Sequence, residues 1–91
     1  MAFCKIAEQG STIEKEIAAK IRGVSRYGME IVHEGTALEK SAGVVITIDL
    51  VNSIFRKKAT VAWSRSLSGY EAVAGLEFTE PIPLSQVVTL S

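Results

Sequence analysis

The chain is poor in the residues from which catalytic and metal sites are usually built. It has one cysteine, Cys4, one histidine, His33, and one aspartate, Asp49. A single cysteine excludes an internal disulfide, so stability must come from packing, and this fits a reducing cytoplasm. A Cys/His or Ser/His/Asp site would need these single copies to converge. Zinc requires three or four ligands, usually paired at short spacing, and no such pairs occur. Neither familiar spacing of a glycine-rich phosphate loop is found. The longest apolar stretch, Ala42 to Ile48, ends at Asp49, well short of the roughly 18 residues of a membrane span. The first five residues lack the charged and apolar regions of a signal peptide. Ten basic residues balance ten acidic ones, which argues against a protein that coats DNA or RNA. These absences predict a non-catalytic cytoplasmic domain with no cofactor, no metal and no membrane span.

What remains is a β-rich pattern. With 91 residues, 47% of them hydrophobic, the chain has room for one core, and residues 1–91 are expected to form one domain. Tyr70, Ala72, Ala74, Leu76 and Phe78 alternate with a more polar set, the period of a strand with one face in a core. Val44, Ile46, Ile48 and Leu50 form a second such face. Opposite them lie Val45, Thr47, Asp49 and Val51, a largely apolar set that predicts a strand covered on both sides. Val61 and Trp63 mark a third strand, with Trp63 expected in the core. Met29 and Ile31 mark a fourth, with His33 near its end.

Ile13 to Ile21 reads two ways. Ile13, Ile17 and Ile21 recur every four residues among good helix formers, yet Ile13, Ile17, Ala19 and Ile21 also share a strand parity. Turns are expected at Gly10-Ser11, across Gly23 to Gly28, at Asn52-Ser53 running into Arg56-Lys57-Lys58, and at Ser66 to Gly69. Leu38 is expected to anchor the long Glu34–Gly43 connection. Pro81 and Pro83 end the last strand, leaving Leu84 to Leu90 as a short helix or a tail. Arg56-Lys57-Lys58 suits a solvated hairpin tip, or contact with an anionic partner.

The most informative segment is Arg22-Gly23-Val24-Ser25-Arg26-Tyr27-Gly28. Arginines supply planar donors for phosphate oxygens and guanine edges, serine a short hydroxyl, and glycine a close backbone approach. The candidate ligand-binding residues are Ser25, Gly28, Arg26 and Arg22.

At this segment the chain resembles a PilZ domain. Ser25 and Gly28 match the family's second signature, Asp or Asn, any residue, Ser, two of any residue, then Gly. Further matches follow in order: Met29-Glu30-Ile31, Leu38 before Gly43, Val44 to Ile48, Thr60-Val61-Ala62-Trp63-Ser64, and Gly75-Leu76-Glu77-Phe78. Together they span roughly residues 3 to 80. The resemblance implies an all-β fold, a small six-stranded antiparallel barrel with a short C-terminal helix, and it turns the reading of Ile13–Ile21 to strand. It also implies cyclic di-GMP, a bacterial second messenger, as the ligand, and a protein partner that receives the signal.

The chain departs from the family in two places. The arginine pair of the first signature is missing, since no arginine precedes Arg22. Gly23 stands where Asp or Asn would accept the donors of guanine. Each lost charged contact is worth about 1–3 kcal/mol, and every 1.4 kcal/mol or so is tenfold in affinity. The expectation is therefore a degenerate site with weak or lost cyclic di-GMP binding, acting through protein–protein contacts. The alternative is a working receptor whose arginines come from another subunit or an upstream segment. A small enzyme using His33 is the third reading. Homo-oligomerisation stays open. Lys20, Arg22 and Arg26 fall in one acid-free stretch, and Arg56, Lys57, Lys58 and Arg65 in another, which predicts one basic face if the fold groups them.

Overall fold

The structure is a computed structural model and describes residues 3–9 and 16–91. Six strands and one helix follow in order: β1 (Phe3–Glu8), β2 (Glu16–Val24), β3 (Gly28–Glu34), β4 (Gly43–Asp49), β5 (Ile54–Ser66), β6 (Glu71–Phe78) and α1 (Leu84–Leu90). All neighbours are antiparallel and the ring β1-β2-β3-β6-β5-β4 is closed. This is the expected six-stranded barrel with its C-terminal helix. Closure falls to β1, which sets Ile6 opposite both Ile17 of β2 and Ile46 of β4.

Alternation places the core. Cys4 and Ile6, Ala19 and Ile21, Met29 and Ile31, and Val44, Ile46 and Ile48 all point inward and are buried. Phe55 and Phe78 meet edge-on with ring centroids 6.4 Å apart, a geometry favoured by the ring quadrupoles. In β2 strand pairing overrides the helix propensity of its alanines and charged residues. Ala19 faces Cys4 on one side and His33 on the other, and Ile21 faces Ile31. Strand β2 continues through Val24, so the expected break at Gly23–Gly28 narrows to Ser25–Tyr27. Gly10-Ser11, Ile13 and Glu14 lie outside the described residues.

Two expectations about buried faces are exchanged. Strand β4 is buried on one face only: Val45 and Thr47 are half-exposed, Asp49 is exposed, and Val51 beyond the strand is fully exposed. The strand with both faces covered is β6, whose residues Ala72 to Leu76 are all buried. On its outer side the Trp63 indole lies over Gly75; the loop after β3 is fastened at Ser64, opposite the core residue Ala74, by a hydrogen bond from the Leu38 N–H to Ser64 Oγ (2.9 Å). Tyr70 precedes the strand and is exposed. Leu38 packs against the core as expected.

The basic triplet Arg56-Lys57-Lys58 lies within β5 rather than at a hairpin tip. The turn is Leu50–Ser53, closed by Leu50 N–H to the Ser53 carbonyl (2.8 Å). The predicted single basic face does not form. Lys20 and Arg22 sit on β2, while Arg56, Lys57, Lys58 and Arg65 sit on β5, three strands away in either direction around the ring.

The C-terminal segment joins the core. Ile82 is fully buried, Leu90 is buried with it, and Val87 packs beside them. No helix among the described residues is long and apolar enough to cross a membrane. Truncating Ile82 to alanine should lower stability by about 2–5 kcal/mol, the range for a buried large-to-small change. The exposed Leu84→Ala should stay within about 0.5 kcal/mol. Urea unfolding of the two variants checks both values.

Candidate functional site

The site is built by two β-bulges. In β2, Ile21 is opposite Ile31 but Gly23 is opposite Glu30, so Arg22 is an inserted residue. In β5, Val61 is opposite Leu76 but Trp63 is opposite Gly75, so Ala62 is inserted. An extra residue reverses the side-chain alternation that follows. Trp63 shares sequence parity with the buried Val61, yet it emerges on the outer face and is 39% exposed. The expected core tryptophan is therefore a surface one.

On that outer face Gly23, Glu30, Gly75 and Trp63 form one cross-strand row. Gly28 follows in the next row, opposite Glu77. Gly23 leaves the sheet surface bare, and beside it Gly28 and Gly75 line a shallow slot of about 440 Å³. The Trp63 indole bounds it on one side and the Val24–Tyr27 turn on the other. Two glycines are required by close approach. A Cβ at Gly28 would collide with the backbone carbonyl of Leu76, and one at Gly75 with the Trp63 ring.

Of the four candidate residues, the slot takes in two. Ser25 and Gly28 line it. Ser25 closes the turn: its Oγ accepts from the Tyr27 N–H (3.2 Å), and its own N–H donates to the Gly28 carbonyl (2.8 Å). Arg22 leaves the bulge to meet Glu30, with Nε 3.4 Å from the carboxylate. Arg26 turns toward the chain end, where its Nε donates to the Ile82 carbonyl (3.2 Å) while the Ile82 N–H donates back to the Arg26 carbonyl (2.8 Å). Neither arginine lines the slot; its charged lining residues are Glu30 and Glu77. Arg65 lies 5.8 Å from the Trp63 ring centroid, within cation–π range.

The sequence reading missed Trp63, Gly75, Glu30 and Glu77 as parts of this site. One available signal was Gly75 inside a strand pattern, since such a glycine often marks a bulge or another group lying close.

A larger groove of about 720 Å³ runs over the outer faces of β1, β4 and β5. Lys5, Arg56 and Lys58 line it together with Glu8, Glu16 and Asp49, so it carries no net sign.

The single-copy residues are dispersed. Cys4 and His33 flank Ala19 in one inward-facing row and each is 3% exposed. Asp49 is exposed on β4, across the barrel from His33 on β3. His33 Nδ1 lies 3.0 Å from the Glu34 carbonyl, and its Nε2 is buried without a hydrogen-bond partner among the described residues. No cluster of three or more metal-ligating side chains occurs among the described residues.

Burial pushes the Cys4 thiol up from an ordinary 9.0 to about 11. The folded state favours the neutral thiol, so this contribution to stability is fully present below pH 9.0 and is lost as pH rises toward 11. Cys4→Ala should remove that alkaline dependence, as followed by urea unfolding across this range, and native Cys4 should react with thiol reagents only on unfolding. Gly75→Ala should displace the indole and red-shift the emission of the sole tryptophan. Gly28→Ala, which must move backbone, should destabilise by about 1–3 kcal/mol. Tryptophan fluorescence and urea titration separate the two effects. No family model, curated protein or solved structure matches this chain.

Proposed function

We propose that this is a non-catalytic PilZ-like barrel that works through contacts with a protein partner and has weak or no hold on cyclic di-GMP. The observation that carries the reading is the charge around the slot. Arg22 is engaged by Glu30 and Arg26 by the Ile82 carbonyl. The charged residues that line the slot with Ser25 and Gly28 are Glu30 and Glu77.

A cyclic dinucleotide brings two phosphodiester charges. At about 6 Å, two like charges oppose each other by about 0.7 kcal/mol in water and about 3 kcal/mol at the effective dielectric of a protein surface. Glu30 is offset by Arg22, whereas no ion pair involves Glu77 among the described residues. Ser25 retains the family hydroxyl, but that hydroxyl is spent on holding its own turn. The resemblance of the Ser25–Gly28 segment and the six-stranded closed barrel support the PilZ-like part of the reading. The buried positions of Cys4 and His33 support the non-catalytic part.

Calorimetric titration with cyclic di-GMP should give no binding at micromolar concentrations. Micromolar or tighter binding would overturn the degenerate-site reading, and its loss in Ser25→Ala and Arg26→Ala would favour a working receptor.

A further inference from the structure

Among the described residues, strand β5 lacks a neighbour along part of one side. It pairs with β4 from Ile54 to Thr60. Its pairing with β6 begins only at Ala59, opposite Phe78, extended by one bond from the Thr79 N–H to the Lys58 carbonyl (3.0 Å). In a strand, the N–H and C=O of one residue point to one side and those of the next to the other. The Lys58 carbonyl addresses the β6 side. The Val61 N–H and C=O bond Ala42 and Ser41, just before β4. Ile54 and Arg56 therefore direct their N–H and C=O groups to the side where β6 has already ended. Both residues are exposed.

The open edge is basic. Arg56, Lys57 and Lys58 line a hollow of about 290 Å³ together with Thr79 and Glu80. Lys57 occupies a core-facing register position, opposite the fully buried Ile46, and is half-buried there. No ion pair involves any of the three cations among the described residues. Glu80 is the one carboxylate among the described residues lining this hollow, while Arg56 and Lys58 also border the groove that holds Glu8, Glu16 and Asp49.

We propose that the free edge of β5, Ile54–Lys58, docks an acidic, extended segment of a partner protein, which adds as a strand beside it. This rests on the protein-contact reading above. Main-chain pairing along an exposed edge supplies affinity, and the flanking side chains supply selection. A second copy of the same edge is disfavoured, because an antiparallel arrangement would set one basic triplet against another. Lysines and arginines on open edges discourage self-pairing in this way. A strand carrying alternate carboxylates meets the same cations favourably, and its own N–H and C=O groups satisfy Ile54 and Arg56.

The test uses the whole chain and two blocked, labelled heptapeptides, one alternating glutamate with valine, the other lysine with valine. Fluorescence anisotropy should show binding of the acidic peptide and not the basic one. NMR-detected hydrogen exchange at the Arg56 amide should slow about tenfold or more in the acidic complex. The Arg56→Glu/Lys58→Glu variant, checked for folding by its tryptophan emission, should lose at least about tenfold in affinity, or some 1.4 kcal/mol. Absence of acidic-peptide binding would overturn the proposal, as would equal binding by the charge-reversed variant or binding that leaves Arg56 exchange unchanged. Cyclic di-GMP titration of the same samples keeps the two readings apart. Tight nucleotide binding overturns the degenerate-site reading even if the peptide docks, and peptide failure without nucleotide binding overturns the edge proposal alone.

Discussion

Side chains along a strand alternate between two faces, and one inserted residue reverses the alternation for the rest of that strand. The insertions at Arg22 and Ala62 divide this barrel wall into a regular part and a displaced part. Before them, Ile21 and Val61 point inward with the rest of the core. Beyond them, Val24 takes the inward position on β2, while Gly23 and Trp63 turn outward. Gly75 completes the arrangement, because only an absent side chain lets an indole lie on a sheet surface. The outer side of β6 at Gly75 is thereby covered, and the slot beside the Ser25 turn acquires its aromatic wall.

The chain's end is tied to the same place. Residues 78–82 leave β6 and cross the β2–β3 turn. Phe78 N–H bonds the Tyr27 carbonyl and Ile82 N–H bonds the Arg26 carbonyl, both at 2.8 Å, while Arg26 Nε bonds the Ile82 carbonyl. Ile82 then fills the core and α1 follows, with Leu90 buried. The turn that carries Ser25 and the segment that seals the core are thus one hydrogen-bonded unit. Arg26 ties this unit together through its Nε and does not line the slot.

Much of the barrel was legible because period-two alternation is a direct imprint of burial on one face. The Met29–Ile31, Val44–Ile48 and Leu76–Phe78 patterns each fell on a real strand. The misplacement of Trp63 comes from a bulge: parity is counted along sequence, whereas a bulge changes it in space. Trp63 shares parity with Val61, and nothing in the residues Val61-Ala62-Trp63 marks Ala62 as the insertion. The exchanged faces of β4 and β6 have another cause. An apolar outer residue such as Val45 stays half-exposed unless some later segment covers it, while Val73 is covered. The positions of Ser25 and Gly28 were foreseen, but the destinations of Arg22 and Arg26 depended on Glu30 across the bulge and on Ile82 more than fifty residues away.

The balanced charge of the chain resolves into local imbalances of opposite sign. On the outer face of β3 and β6, Glu30 and Glu77 border a slot into which neither candidate arginine reaches. Along β5, three consecutive cations stand beside backbone groups that no strand among the described residues pairs. The physical reason for the second imbalance lies in unequal strand lengths. β5 runs for 13 residues and β6 for 8, so the longer strand extends beyond its neighbour and leaves an edge. Such an edge is hazardous when apolar, because any extended chain can pair with it. Arg56, Lys57 and Lys58 convert it into an edge that repels copies of itself and favours carboxylates. Neutrality of the whole chain is therefore compatible with strong discrimination at one place, since screening in physiological salt confines each local field to about 8 Å.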